Sequence, residues 1–251
     1  MKEEWSRATV ILSGSTMNRL FRGSTRYPVG RVIRMVVRPF SFSEFLLAWD
    51  RPQLADTVVA GHLSGLSTAR HQRLVTWYDR FLHTGGLPDV VVAAAAGEDA
   101  RLHLARIAAD YEQDFIRILG EETLPLVQAS LRAVANFVGT PFKNTAVVRD
   151  PSTRTNERIN QVLGRLESWH MVLRSDQAGP SSSGSQRHLP KRYLFDTGLL
   201  RHLRETGVPP VELTEGRRDL RSLLGGVIEN QVAADLVRDH GPLAGWKRSS
   251  A

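Results

Sequence analysis

Arg154, Arg158, Gln161 and Arg165 follow one another at intervals of four, three and four residues, the spacing that sets side chains along one face of an α-helix. Guanidinium groups in such a row can neutralise phosphates, and a glutamine amide among them can bond a base edge or a phosphate. Ile159, Val162, Leu163, Leu166 and Trp169 keep the same period on the other side. The stretch 152–169 therefore predicts a helix with a buried stripe and a cationic outside. Lys143 adds a cation a short distance upstream. These five residues are the expected contacts to duplex DNA, and none of them is assigned a catalytic role.

The flanking chain supplies what would hold such a helix. Residues 145–149 can form a short helix, which must stop near Asp150 because the residue before Pro151 is pushed out of the α region. Residues 170–175 and 191–196 read as strands, and between them 177–186 is a Gly/Ser-rich loop placed where a wing would be. Short helix, turn, longer helix and hairpin is the order of a winged helix-turn-helix. Two other readings stand beside DNA contact: a basic helix face as solvated surface, and a winged helix that packs on a protein partner or a second copy of the chain.

Composition narrows the classes further. There are no cysteines, so disulfides and thiolate metal sites are excluded and a reducing cytoplasm is the natural setting. The eight histidines show no HExxH or paired-ligand spacing, and no metal is assigned. A formal net charge of +7 favours an acidic partner, although all cations except Lys2, Lys143, Lys191 and Lys247 are arginine, a bias that coding composition alone can produce. No apolar run approaches the ~20 residues that cross a bilayer, so no membrane partner is expected.

Along the chain, 9–13 and 32–37 are apolar, β-prone runs, the second closed by Pro39. Phe40 to Leu46 opens a helix capped by Ser41 or Ser43. Helical spacing returns over 69–82, is broken at Gly85-Gly86, and resumes over 101–119, 126–138 and 223–237.

Six stretches taken in order resemble a large prokaryotic family. They are Ile11-Leu12-Ser13-Gly14-Ser15, Arg38-Pro39-Phe40-Ser41-Phe42-Ser43-Glu44-Phe45-Leu46, Gly85-Gly86-Leu87-Pro88-Asp89-Val90-Val91, Gly139-Thr140-Pro141-Phe142, Tyr193-Leu194-Phe195-Asp196-Thr197-Gly198-Leu199-Leu200 and Gly226-Val227-Ile228-Glu229-Asn230-Gln231-Val232-Ala233. The family is that of AAA-type ATP-binding proteins in which the ATPase module precedes a winged helix and a C-terminal domain of unknown function similar to restriction endonucleases. The resemblance implies an α+β, mostly α chain. Residues 1–50 would be the end of an AAA core with two leftover strands, 51–122 a helical lid, 123–200 the winged helix, and 201–251 a truncated nuclease-like piece.

The resemblance also implies roles. Ser13 or Ser15 would match the sensor at the end of the fourth core strand, Arg31 a basic position able to approach phosphate, and Gly86 and Pro88 a Gly-x-Pro element that packs near adenine. Family members use ATP and magnesium. This sequence has no GxxxxGK[ST] and no acidic Walker B strand ahead of 9–13, so the cofactor expectation for the chain itself is none, and no ATP hydrolysis is expected. It resembles a middle piece of such a protein, from a truncated gene or a mis-called start and stop. The function expected is a fragment of an AAA-type ATP-binding protein with a winged helix. The alternative is a DNA-binding module, with little sequence preference, or a protein interaction module.

Overall fold

The computed structural model describes residues 11, 14, 33, 35–61, 65–176, 189–204 and 218–243, the first three residues of the last range by backbone alone. The chain divides into two compact units, Met1–Val37 and Arg38–Ala251.

In the first unit the described residues lie in no helix or strand. The expected strand over 32–37 is thereby corrected at 33 and 35–37, where Ile33, Met35, Val36 and Val37 are exposed. An apolar run becomes a strand only where a neighbour takes its N–H and C=O groups, and no described strand pairs with these residues. The strand expected over 9–13, apart from Ile11, lies outside the described residues, as do Ser13, Ser15 and Arg31.

The second unit is mostly helical. Its elements are α1 (Phe42–Ala48), α2 (Pro52–Val59), α3 (Thr68–Thr84), α4 (Pro88–Ala95), α5 (Ala100–Leu119), α6 (Leu124–Asn136), α7 (Thr153–Ser168), β1 (Val172–Ser175), β2 (Lys191–Leu194), α8 (Thr197–Leu203) and α9 (Arg218–His240). Single turns of 3-10 helix occur at Glu121–Thr123 and Asn144–Ala146. Among the described residues the two antiparallel strands are the whole of the β-structure, with Val172 opposite Leu194 and Ser175 opposite Lys191.

Local chemistry sets the boundaries. Ser41 caps α1 in a reciprocal box, its Oγ accepting from the Glu44 N–H at 3.3 Å while its own N–H donates to the Glu44 carboxylate at 2.7 Å. Pro52 and Pro88 begin α2 and α4, where the missing N–H costs no helical bond. Gly85, at φ +80°, ends α3.

Phe45 and Phe81, both buried, join α1 to α3 with ring centroids 5.2 Å apart. The principal core draws on each of the segments 51–122, 123–200 and 201–251. Leu82 and Phe115 meet Val127, Val134, Ile159, Leu166 and Leu194, and Val227 and Val237 of α9 close the cluster. Burying a residue of this size contributes roughly 1.5–3 kcal/mol, so α7 and the hairpin are fixed by the same apolar mass that fixes α3 and α5.

Candidate nucleic-acid interface

The turn ahead of α7 is built from two devices. Asp150 stands at φ +49°, out of the helical region that Pro151 denies it, and Ser152 then caps α7 by accepting from the Thr155 N–H at 3.2 Å. The expected helix over 145–149 is a single 3-10 turn at Asn144–Ala146. Asn144 ties that turn to α7: its amide donates to the side-chain carbonyls of Asn156 at 2.9 Å and Asn160 at 3.2 Å. Asn156 in turn donates to the Pro151 carbonyl at 3.1 Å, so turn and helix share one polar clamp.

On α7 the inward stripe is seated in the core. Ile159, Val162, Leu163 and Leu166 are all buried, while Arg154, Arg158 and Gln161 are exposed and Arg165 is half-buried. None of these four makes a side-chain hydrogen bond or ion pair with a described residue. The contrast with α5 is direct. There Arg101 pairs with Asp99 at 3.0 Å, Arg106 with Asp89 at 2.7 Å and Arg117 with Asp114 at 2.7 Å.

Lys143 is exposed but stands apart from the arginines. It lines an open depression of about 670 Å³ with Asn144, Asp150, Asn156, Asn160 and Leu189. At about 100° per residue, Asn160 leads the core-facing Ile159 by a quarter turn, whereas Arg154, Arg158 and Arg165 lie past the opposite side. The structure thus places Lys143 on one flank of α7 and the arginine row on the other.

The hairpin after α7 carries its own electrostatic lock. Arg174 and Arg192 are directly opposed across β1 and β2, an arrangement that would repel by itself. Glu167, near the end of α7, reaches both, at 2.9 Å to Arg192 Nε and 3.7 Å to Arg174. The loop expected as a wing, 177–186, lies outside the described residues.

Gly86 and Pro88 occupy the α3–α4 turn. The Gly86 N–H donates to Asp196 at 2.7 Å and its carbonyl accepts from the Phe40 N–H at 2.7 Å, while Pro88 begins α4. Both backbone groups of Gly86 are therefore engaged within the protein. Asp196 is fully buried: burial pushes its carboxyl up, and the N–H groups of Gly86, Leu199, Gly198 and Leu87 pull it down.

Glu229, in a helix that the family resemblance relates to a nuclease fold, accepts from Lys191 Nζ and from the Tyr193 hydroxyl, each at 2.9 Å. Burial, followed by Glu229, raises Tyr193 above its usual range. Among the described residues no three His, Asp or Glu side chains gather where they could hold a metal ion. Asn144, Asn156 and Asn160 escape a sequence reading based on charge; their signal is the N-x₃-N spacing of the latter two on one helix flank.

A single helical unit thus seats a capped helix with an unpaired cationic face between a clamped turn and a short hairpin. The chain belongs to the family described as Domain of unknown function (DUF8612), whose model matches residues 75–210, more than half of the sequence. No curated protein and no solved structure matches it. The matched span runs from within α3 past the end of α8, so it encloses α7, the hairpin and both partners of the Gly86–Asp196 contact.

Proposed function

We propose that residues 123–200 form a winged helix-turn-helix that binds duplex DNA through the outer face of α7. In this reading α6 is the first helix, the Asn144–Ala146 turn the second, α7 the recognition helix, and β1 and β2 the base of the wing. The observation that carries it is the row Arg154, Arg158 and Arg165, which forms no ion pair with a described residue, on a helix whose inner face is fully seated. A face held in place by its own apolar stripe presents those charges at no further folding cost.

The wider proposal is a chain descended from AAA-type ATP-binding proteins that hydrolyses no ATP itself. The ordered motifs from Arg38 to Ala233 support that ancestry, and the missing phosphate-binding loop supports the lack of turnover. The Gly-x-Pro element has a structural occupation in this protein, since Gly86 gives its N–H to Asp196.

Salt dependence tests the DNA reading. Fluorescence anisotropy with a labelled duplex should give a slope of log K against log salt of roughly −3 for three neutralised phosphates, at about 0.9 each. Replacing Arg154, Arg158 and Arg165 together by Ala should flatten the slope and leave the melting temperature within a degree or two, as surface changes do. An unchanged slope in that variant would transfer the role to protein association. One observation favours that second reading: Ile228, Val232 and Leu236 form an exposed apolar row at four-residue spacing on α9, as an interface with a protein partner or a second copy would.

A further inference from the structure

Gly164 has no structural reason to be glycine. It lies inside α7, its φ is not positive, and a Cβ added there would meet nothing within 4 Å. Glycine at an exposed helical position gives up helix propensity relative to alanine. Most other glycines of the second unit serve the fold: Gly85, Gly120 and Gly139 stand at positive φ, and Gly86 and Gly198 are crowded by neighbouring backbone. Gly225 of α9 is equally open, and what distinguishes Gly164 is its place on the exposed face of α7.

What surrounds it on that face is informative. With Ile159 taken as the inward direction and about 100° per residue, Glu157 and Gln161 fall within roughly 20° of the point directly opposite the core, with Gly164 about 40° to one side of it and Arg154 about 40° to the other. Arg154, Arg158 and Arg165 border this strip on one side, and Asn160, with Lys143 beside it, borders it on the other. Glu157 and Gln161 are exposed and, like the arginines, are bonded to no described residue. The face therefore has one acid and one amide at its centre and a gap toward the Asn160 side, between two basic or donor-bearing rims.

We infer that α7 enters the major groove with Gly164 at the closest approach, and that Glu157 and Gln161 read base edges there while the rims hold the two phosphate walls. This rests on the DNA-binding reading above and deepens it. A carboxylate facing a phosphate wall would be repelled, so Glu157 belongs at the groove floor, where it accepts from an exocyclic amine, that of cytosine or adenine. Gln161, one turn on, can donate and accept together, which suits an adenine edge. Glu157 to Gly164 spans two turns, about 10.5 Å, which fits a groove that admits a helix. Duplex binding then has a sequence preference, where the sequence by itself suggests little.

The test sets stability against binding in the full chain. Gly164→Ala and Gly164→Leu place better helix formers at an open position and should raise the melting temperature, by about 2–4 °C for a chain of this size. The same variants should weaken binding to the preferred duplex progressively, Leu more than Ala. Selection from duplexes with a randomised centre should enrich a site containing cytosine or adenine, and Glu157→Ala and Gln161→Ala should each lose the preference at one position, a discrimination of roughly 5- to 150-fold per contact. If Gly164→Leu binds as the unaltered chain does, or both alanine variants enrich the same site, the groove-reading inference falls while the salt-dependent phosphate contacts stand. No duplex binding at all would remove both.

Discussion

The Asp196 carboxylate accepts the Gly86 N–H at 2.7 Å across 110 residues of chain, and its other oxygen accepts the Leu199 N–H at 2.9 Å to cap α8. One buried side chain therefore closes the start of α8 and fixes the turn between α3 and α4. The neighbouring glycines are small for the same reason. A Cβ on Gly85 would stand 2.5 Å from Asp196 Oδ1, and one on Gly198 would stand 2.5 Å from the Thr84 carbonyl oxygen. The stretches Gly85 to Pro88 and Asp196 to Gly198 are two halves of one joint, packed too closely for any side chain at those glycines.

Asp196→Ala is expected to be among the most damaging single changes. It strands buried N–H groups of Gly86 and Leu199 with no acceptor, and each such loss costs about 1–3 kcal/mol. Chemical denaturation should show a loss of roughly 2–5 kcal/mol. Gly85→Ala should approach it, since it adds both the steric conflict and the strain of a non-glycine residue at φ +80°. A wild-type midpoint for either variant would mean that the joint is slack.

How much of this was legible in the sequence follows from the range of the interactions. The boundaries of α1, α3, α5, α6 and α7 are written in local patterns, in caps such as Ser41 and Ser152 and in the terminators Gly85 and Gly120. The inward and outward faces of α7 follow from periodicity alone, and the exposure of Arg154, Arg158 and Gln161 agrees with it. The burial of Asp196 was not legible, because its donors include a residue 110 positions away. Nor was the separation of Lys143 from the arginine row, which depends on how Asn144 ties its turn to the flank of α7. Met35 to Val37 read as a strand because propensity carries no information about whether a neighbouring strand exists.

Asn230 acts as a one-residue strand against β2. Its Oδ1 accepts the Leu194 N–H at 2.7 Å and its Nδ2 donates to the Leu194 carbonyl at 2.9 Å, with the asparagine fully buried. Asn230→Ala should therefore cost about 2–4 kcal/mol from two unsatisfied backbone groups. Asn230→Asp should cost at least as much at neutral pH, because a carboxylate oxygen would face the Leu194 carbonyl. Hydrogen exchange at the Leu194 amide is the local readout; slow exchange retained in both variants would show that the edge of β2 is protected by something else.

His103 supplies a pH-dependent contact between α4 and α5. Its Nδ1 lies 3.1 Å from Asp89 and its Nε2 2.8 Å from Glu98. The bond to Asp89, followed by that to Glu98, raises its pKa above the ordinary 6.5. A raised folded-state pKa means that the coupling contributes fully below that ordinary value and fades as pH climbs through the higher folded value. An NMR titration of the His103 ring should give a midpoint above 6.5, and Asp89→Asn should lower it. A midpoint that the substitution leaves in place would remove Asp89 as the cause.

Glu167 decides whether the hairpin stays registered on α7. Arg174 and Arg192 face each other across β1 and β2; Arg192 is also held 5.5 Å over the Phe142 ring, while Arg174 is bonded to Asp176 at 2.7 Å and lies 3.7 Å from Glu167. Glu167→Gln takes the charged partner from the nearly buried Arg192 and leaves Arg174 to Asp176 alone, and it should destabilise the protein by roughly 1–3 kcal/mol. Removing one of the two cations as well should return part of that loss, so the double variant Glu167→Gln, Arg174→Ala is expected to be more stable than the sum of its single changes predicts. The effect should also shrink at high salt, since Arg174 is partly exposed and screened. Strict additivity in the cycle would show that Glu167 serves Arg192 alone and that the opposed arginines do not strain the hairpin.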